Sequence, residues 1–365
     1  MKLSATRAQV LNPLQSVIGV VERRQTMPIL ANVLLSARNN RLSITGTDLE
    51  VELVASSEVG VQQAGDLTVP GRKLLDIFRA LPEGVNVTMA TEGERMIVRA
   101  GRSRFTLSTL PAAEYPVVEE INAQQALVVP QPEFRRLIDK THFSMAQQDV
   151  RYYLNGLLIE TDGNNLRAVA TDGHRLAICE CNLEGKAKSP QQVIVPRKGV
   201  LELQRLLGSE GSIELTIGTN HIRAQIGDVR FTSKLIDGRF PEYGRVIPAS
   251  PTRIVEGDRE SLRQALQRTA ILSNEKYRGV RLTVKPDLLT VQAHNPEQEE
   301  AEDQVEVSYQ GEEVEIGFNV NYLLDALAAV DGEKVQIGLG DSNSSCLIRA
   351  ESGASARYVV MPMRL

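Results

Sequence analysis

Thr68–Leu81 reads TVPGRKLLDIFRAL, Ile194–Leu207 reads IVPRKGVLELQRLL, and Ile316–Ala329 reads IGFNVNYLLDALAA. With Leu74, Val200 and Leu323 aligned, apolar residues recur at offsets 0, 1, 3 and 7. They are Leu74, Leu75, Ile77 and Leu81; Val200, Leu201, Leu203 and Leu207; Leu323, Leu324, Ala326 and Val330. Such spacing marks one face of a helix. The copies lie about 124 residues apart, so the chain is written three times. Built-in symmetry of this kind points to a geometric function before a chemical one.

The repeat extends outward from that helix. An earlier helix recurs as Val10, Pro13, Leu14 and Val17, then Phe134, Leu137, Ile138 and Thr141, then Leu262, Ala265, Leu266 and Thr269. Each set has offsets 0, 3, 4 and 7. Pro13 interrupts the pattern, because proline removes a helical hydrogen bond. Between the helices, RLSITGTDLEVELV from Arg41 resembles NLRAVATDGHRLAI from Asn165 and LLTVQAHNPEQEEA from Leu288. Thr47-Asp48 then matches Thr171-Asp172 and His294-Asn295. LPAAEYPVV from Leu110 and IDGRFPEYGRV from Ile236 close the first two copies. A unit this long holds its own core, which predicts tandem domains rather than a solenoid. The expected boundaries are 1–124, 125–250 and 251–365. Each module reads as α+β: helix, strands, second helix, further strands.

Composition narrows the class. At 365 residues and 42% hydrophobic content, ordinary aliphatic cores are expected, since there is no tryptophan and aromatics are 4%. No apolar run approaches the roughly 20 residues of a membrane helix, and MKLSATRAQVLNPL lacks a signal peptide's apolar block. The expected location is the cytoplasm. Cys179, Cys181 and Cys346 form no disulfide framework, and a lone C-x-C is a poor zinc signal. No metal or cofactor is expected.

Charge is unevenly distributed. The six repeated helical segments (6–24, 71–80, 132–145, 197–207, 258–271 and 319–330) together carry +7. The chain carries −5, which leaves −12 elsewhere. Arg72 and Arg79 are seven apart and share a helix face; Lys198 and Arg205 take the same places in the second copy, and Asn321 and Ala328 in the third. Basic residues often only coat exposed helices. The repeated pair favours a shared anionic partner, held without sequence readout through phosphate contacts. No zinc-finger spacing, basic zipper or RNP aromatic motif is present.

Motifs for phosphate-binding loops, dinucleotide folds, zinc proteases and serine hydrolases are absent. Thr171-Asp172-Gly173-His174-Arg175 is the best candidate for chemistry, with Asp172 and His174 as an acid–base pair. A turn between strands explains Asp-Gly equally well, and module one has Asp48-Leu49-Glu50 there without histidine. An enzyme at this site and a peptide-binding scaffold without DNA function are the alternatives to a DNA-associated protein.

TDGHRLA at Thr171–Ala177, FSMAQQDVRYYLNG at Phe143–Gly156, ILSNEKYRGVRL at Ile271–Leu282 and YVVMPMRL at Tyr358–Leu365 accompany the three-fold repeat. With them the whole chain closely resembles the bacterial DNA polymerase III beta subunits, the replication sliding clamps. The resemblance implies a head-to-tail homodimeric ring of six domains, two helices from each lining a hole for duplex DNA. It implies a non-catalytic processivity factor that tethers the polymerase III alpha subunit, a clamp loader and other motif-bearing proteins.

The resemblance also implies sites. For DNA they are Arg24, Gln148, Tyr152, Tyr153, Arg197 and Lys198; the helix-face reading adds Arg72, Lys73, Arg79 and Arg205. For a peptide pocket between the second and third domains they are Leu154, Thr171, Gly173, His174, Arg175, Leu176, Pro241, Arg245, Val246, Asn319, Tyr322, Ser345, Val360, Met361, Pro362, Met363 and Arg364. Two methionines suit varied peptides, because thioethers repack readily. For the dimer contact, Lys73, Arg102, Arg104, Phe105 and Leu107 of one chain would meet Ile271, Leu272, Glu297, Glu299, Glu300 and Glu302 of the other. Arg102 and Arg104 are expected on one strand face, and Phe105 and Leu107 on the opposite one.

Overall fold

The computed structural model describes residues 1–21, 27–118, 121–352 and 355–364. The first repeat folds as β1 (Lys2–Thr6), α1 (Arg7–Val17), β2 (Asn32–Arg38), β3 (Arg41–Thr47), β4 (Val51–Glu58), β5 (Gly60–Gln63), β6 (Gly65–Pro70), α2 (Gly71–Ala80), β7 (Asn86–Glu92), β8 (Arg95–Ala100) and β9 (Ser103–Ser108). The second folds as β10 (Ala123–Pro130), α3 (Gln131–Asp139), β11 (Gly156–Asp162), β12 (Asn165–Thr171), β13 (Arg175–Asn182), β14 (Gln191–Pro196), α4 (Arg197–Leu206), β15 (Ser212–Gly218), β16 (His221–Ile226) and β17 (Val229–Lys234). The third folds as β18 (Arg253–Asp258), α5 (Arg259–Thr269), β19 (Gly279–Lys285), β20 (Leu288–His294), β21 (Glu300–Glu306), β22 (Val314–Asn319), α6 (Val320–Ala329), β23 (Lys334–Leu339), β24 (Cys346–Ala350) and β25 (Ala356–Val360). No helix among the described residues is long and apolar enough to cross a membrane.

Local chemistry explains the helix starts. Thr6 and Gln9 form a reciprocal capping box at α1. Asp258 caps α5 by accepting from Ser261 N. Pro70 ends β6 and Pro196 ends β14 immediately before a helix, where a residue without an N–H costs little. The first-helix face is buried in every copy, from Val10 and Leu14 through Phe134 and Leu137 to Leu262 and Thr269. Pro13 lies inside α1 and is itself buried.

The second-helix face differs from the sequence expectation. Offset 0 is buried throughout, but Leu201 is 39% exposed and Leu324 and Ile77 are half-buried. Phe78 and Leu327, at offset 4, are buried instead. In modules two and three the stripe therefore follows 0, 3 or 4, and 7, the ordinary one-sided pattern, and module one also buries Leu75 at offset 1.

The chain forms two compact units, residues Met1–Pro132 with Lys198–Leu235, and Glu133–Arg197 with Ile236–Leu365. These units do not follow the repeat, because strands of module two are divided between them. In the first unit an eight-stranded sheet runs β10-β15-β16-β17-β4-β3-β2-β6, alongside a five-stranded sheet β5-β1-β7-β8-β9. In the second, an eight-stranded sheet runs β14-β11-β12-β13-β25-β24-β23-β18, alongside a four-stranded sheet β21-β20-β19-β22.

One rule generates both large sheets. The last strand of each later module pairs antiparallel with the strand of the preceding module that follows its Thr-Asp turn. Thus β17 pairs with β4, with Phe231 opposite Leu53. Likewise β25 pairs with β13, with Tyr358 opposite Ala177. Phe231 and Tyr358 are both fully buried, and Phe231 contributes roughly 1.5–3 kcal/mol by leaving water. Helices obey the same rule. Arg205 of α4 donates to Ser16 O of α1 at 2.5 Å, and Lys140, just past α3, donates to Ala329 O of α6 at 2.6 Å. The strands left over are β9 and β21, both at sheet edges.

Candidate functional site

A cavity of about 190 Å3 opens in the second unit, where β13 and β25 meet. Its walls are largely apolar: Tyr153, Leu154, Leu176, Pro241, Tyr243, Val246, Val359 and Met361, with Thr171, Gly173, Arg151, Arg175 and Glu242 supplying polar edges. Apolar pockets with a few fixed polar groups are the usual form of ligand sites.

The turn after β12 sets one wall. Thr171 Oγ1 accepts from Gly173 N and donates to Arg175 O, at 3.1 and 2.6 Å. Asp172 Oδ1 accepts from His174 N and Arg175 N at 2.9 and 3.1 Å. Gly173 has φ +88°, which L side chains adopt only under strain. Module one builds the same turn: Thr47 and Asp48 bond Leu49, Glu50 and Val51 alike. The repeated Thr-Asp is therefore a turn device in both copies. Asp172 also binds the Arg175 guanidinium at 3.1 Å, and His174 is exposed and does not line the cavity, its carbonyl accepting from Met361 N.

Arg175 ties the cavity to module three. Its guanidinium reaches Asp325 at 2.5 Å, donates to Phe143 O at 2.7 Å and lies 4.5 Å from the Tyr322 ring centroid. Arg151 crosses the other edge, gripped by both oxygens of Asp149 at 3.0 and 2.9 Å. That pair of hydrogen bonds from Arg151 holds the Asp149 carboxyl down at about 2.

Three family models cover nearly the whole chain. The DNA polymerase III beta subunit N-terminal domain matches residues 1–119, the central domain 128–242 and the C-terminal domain 244–364. The chain belongs to the DNA polymerase III beta subunit family. The beta sliding clamp of Pseudomonas aeruginosa is 54% identical, and that of Escherichia coli K12 is 53% identical, each over 100% of both chains. The solved DNA polymerase III subunit beta of Pseudomonas aeruginosa superposes with a TM-score of 0.98 at 53% identity, covering both chains completely. A sliding clamp of the same organism bound to griselimycin gives 0.97 at 54% identity, again over 100% of each chain.

Against this beta-subunit frame, the residues expected from sequence separate. Leu154, Thr171, Gly173, Arg175, Leu176, Pro241, Val246 and Met361 line the cavity. Met363 and Arg364 line a neighbouring cavity with Tyr277 and His294. Arg245 is largely exposed and paired with Glu242. Asn319 caps α6, Tyr322 touches Arg175, and Val360 is buried on β25. Ser345 and Pro362 are half-buried and do not line the cavity. Arg151, Glu242, Tyr243 and Val359 were not expected. The repeated Glu-Tyr of the module ends carries the signal for Glu242 and Tyr243.

The basic residues also divide. Arg24 lies outside the described residues. Lys73 and Arg79 are exposed on α2. Arg72 instead donates to Val21 O at 2.9 Å, Lys198 pairs with Asp48, and Arg205 binds Glu202 and Ser16 O. The repeated pair therefore serves structure at three of its four positions. Gln148 is exposed at φ +57°, Tyr152 is 56% exposed, and Arg197 is half-buried. Tyr153, expected at DNA, lines the cavity.

At the edge strands, Arg102 sits in the turn before β9 rather than on it. Arg104 is exposed 3.6 Å from Glu92, Phe105 is half-buried and Leu107 is buried. Ile271 is 76% exposed beside half-buried Leu272, and Glu297, Glu299, Glu300 and Glu302 are exposed.

Proposed function

We propose that this chain is a sliding clamp: two copies join head to tail, encircle duplex DNA and tether replication and repair proteins to it. The observation that carries the reading is the strand-pairing rule. Two of its three instances lie inside the chain, and the third needs β9 of one copy against β21 of another. Continuing the ladder register places Phe105 opposite Ala301 of the partner subunit, where Phe231 faces Leu53 and Tyr358 faces Ala177. Arg104 then faces Glu302 of the partner subunit, and opposite charges directly across a ladder are favourable. The helix rule brings α2, with Lys73, toward the partner's α5. A head-to-tail contact that obeys one rotation closes into a ring. Six modules complete the ring if each seam repeats the others.

Six helix pairs would then face the hole, with Lys73, Arg79 and the loop of Gln148 and Tyr152 toward the duplex. Few uncommitted cations suit a topological hold, since tight phosphate binding would oppose sliding. The cavity beside Met361 is the tethering site for apolar segments of the polymerase alpha subunit, the clamp loader and other partners. Tethering raises their effective concentration at the template. The module boundaries at 124/125 and 250/251 are part of this reading, as are a cytoplasmic, nucleoid-associated location and the absence of catalysis.

The test is retention on DNA. Protein loaded on a nicked circle should stay bound and leave when the circle is linearised. Equal retention on linear DNA with open ends overturns the ring.

A further inference from the structure

The two seams inside the chain are built alike but end differently. At the second seam Met361 N donates to His174 O at 2.9 Å; at the first, Lys234 N donates to Glu50 O at 2.8 Å. Carried along that correspondence, Leu30 stands where Leu154 does, Leu49 for Gly173 and Glu52 for Leu176. The second seam holds the open cavity. The first holds Tyr115.

Tyr115 is 5% exposed and packs on Ile29, Leu30 and Leu34. Its hydroxyl lies 3.2 Å from Thr45 O and 3.3 Å from Asn32 O. Three residues on, Val118 N donates to the buried Glu52 carboxylate at 2.8 Å. The repeat counterpart Tyr243 is held elsewhere. Its hydroxyl donates to Glu160 at 2.9 Å and accepts from Arg167 at 3.0 Å, so that its ring becomes a wall. Module one has Ser36 and Ser43 at the places of Glu160 and Arg167; Ser36 bonds Asp66 and Ser43 bonds Ser56. No Glu–Arg pair stands at those two places to draw Tyr115 outward.

We infer that Tyr115–Val118 is a built-in occupant of a second, latent copy of the peptide cavity. The ligand class follows from the occupant: an apolar ring for the Ile29–Leu30 floor, and a backbone N–H for Glu52. The inference rests on the clamp reading of the open cavity, and it explains why Tyr115 is buried at one seam while Tyr243 walls the cavity at the other. An external peptide reaches the first seam only when the linker leaves it.

Griselimycin, the ligand of the Pseudomonas aeruginosa complex, is a probe for both seams. Titration calorimetry would be run on full-length wild type, Tyr115→Phe, Tyr115→Ala and Glu52→Leu. Hydrogen exchange would report separately on residues 115–118 and on the strand before Met361. Wild type and Tyr115→Phe should take one equivalent per chain and protect the second seam. Tyr115→Ala and Glu52→Leu should take a second, weaker equivalent, with exchange at 115–118 altered by the probe. Glu52→Leu keeps the tyrosine side chain but removes the anchor of Val118, which frees the linker to leave, and it reads the inference if Tyr115→Ala fails to fold. One equivalent with every folded variant overturns the inference alone. No binding to wild type overturns the cavity reading and the inference with it.

Discussion

The Lys198 ammonium lies 2.5 Å from the Asp48 carboxylate. Asp48 has a side chain only 6% exposed and also accepts from Glu50 N and Val51 N. The cation thus completes a turn from a half-buried position. Lys198→Ala should destabilise the protein by about 1–3 kcal/mol, since a charge-assisted bond is lost at a buried carboxylate. Lys73→Ala with Arg79→Ala should leave the melting temperature nearly unchanged. That pair should instead weaken DNA association and reduce its logarithmic salt slope by about 1–2. Urea melts and salt-dependent binding assays separate the two outcomes.

Glu52 gives a pH signature. Burial pushes its carboxyl above the ordinary range, against the bond from Val118 and the charges of Arg230 and Arg223. Folding therefore favours the protonated form. Its contribution to stability is full below the ordinary carboxylate range and is lost as pH rises through the raised value. Glu52→Gln keeps an acceptor for Val118 N without titrating. It should melt higher than wild type at neutral pH, with the gap closing as pH falls toward about 4. A gap that persists in acid would contradict the assignment.

Gly173 and Leu49 occupy the same turn position at φ +88° and +78°. A side chain there costs about 1–2 kcal/mol. Gly173→Ala should lose that much, and its Cβ would fall 2.9 Å from Arg151 Nη2. Griselimycin affinity should drop too, because Arg151 edges the cavity. Leu49→Gly should be neutral or stabilising by up to about 1 kcal/mol. Paired denaturation curves check both.

Ile271 is 76% exposed, a large aliphatic side chain left open to water. Ile271→Ala with Leu272→Ala should yield monomer in sedimentation velocity. Arg104→Glu should weaken the dimer about ten-fold or more, and adding Glu302→Arg should restore part of it. An unchanged dimer in all three would remove the β9–β21 contact.

The fold was legible where one physical signal acted alone. The first-helix stripe from Val10 to Thr269 depends only on helical period, and it is buried as read. The second-helix stripe holds at offset 1 only in the first copy, where Leu75 is buried, whereas Leu201 is apolar yet exposed. Apolarity alone does not say which way a side chain faces. The cavity was half legible. Turn residues such as Thr171 and Gly173 carry motif signals, whereas Arg151 enters only because Asp149 orients it. Charge was least legible: Lys198 reads from the sequence as a cation on a helix face, and its carboxylate partner lies 150 residues earlier in the chain.

The strand-pairing rule has a kinetic consequence. Two of each chain's seams are closed by peptide linkers, so a strand that peels away stays tethered and returns at high effective concentration. The proposed β9–β21 seam has no tether. Once parted, its halves must find each other by diffusion or be held by another protein. A ring of equal seams therefore has unequal doors, and dilution acts on only one kind of them.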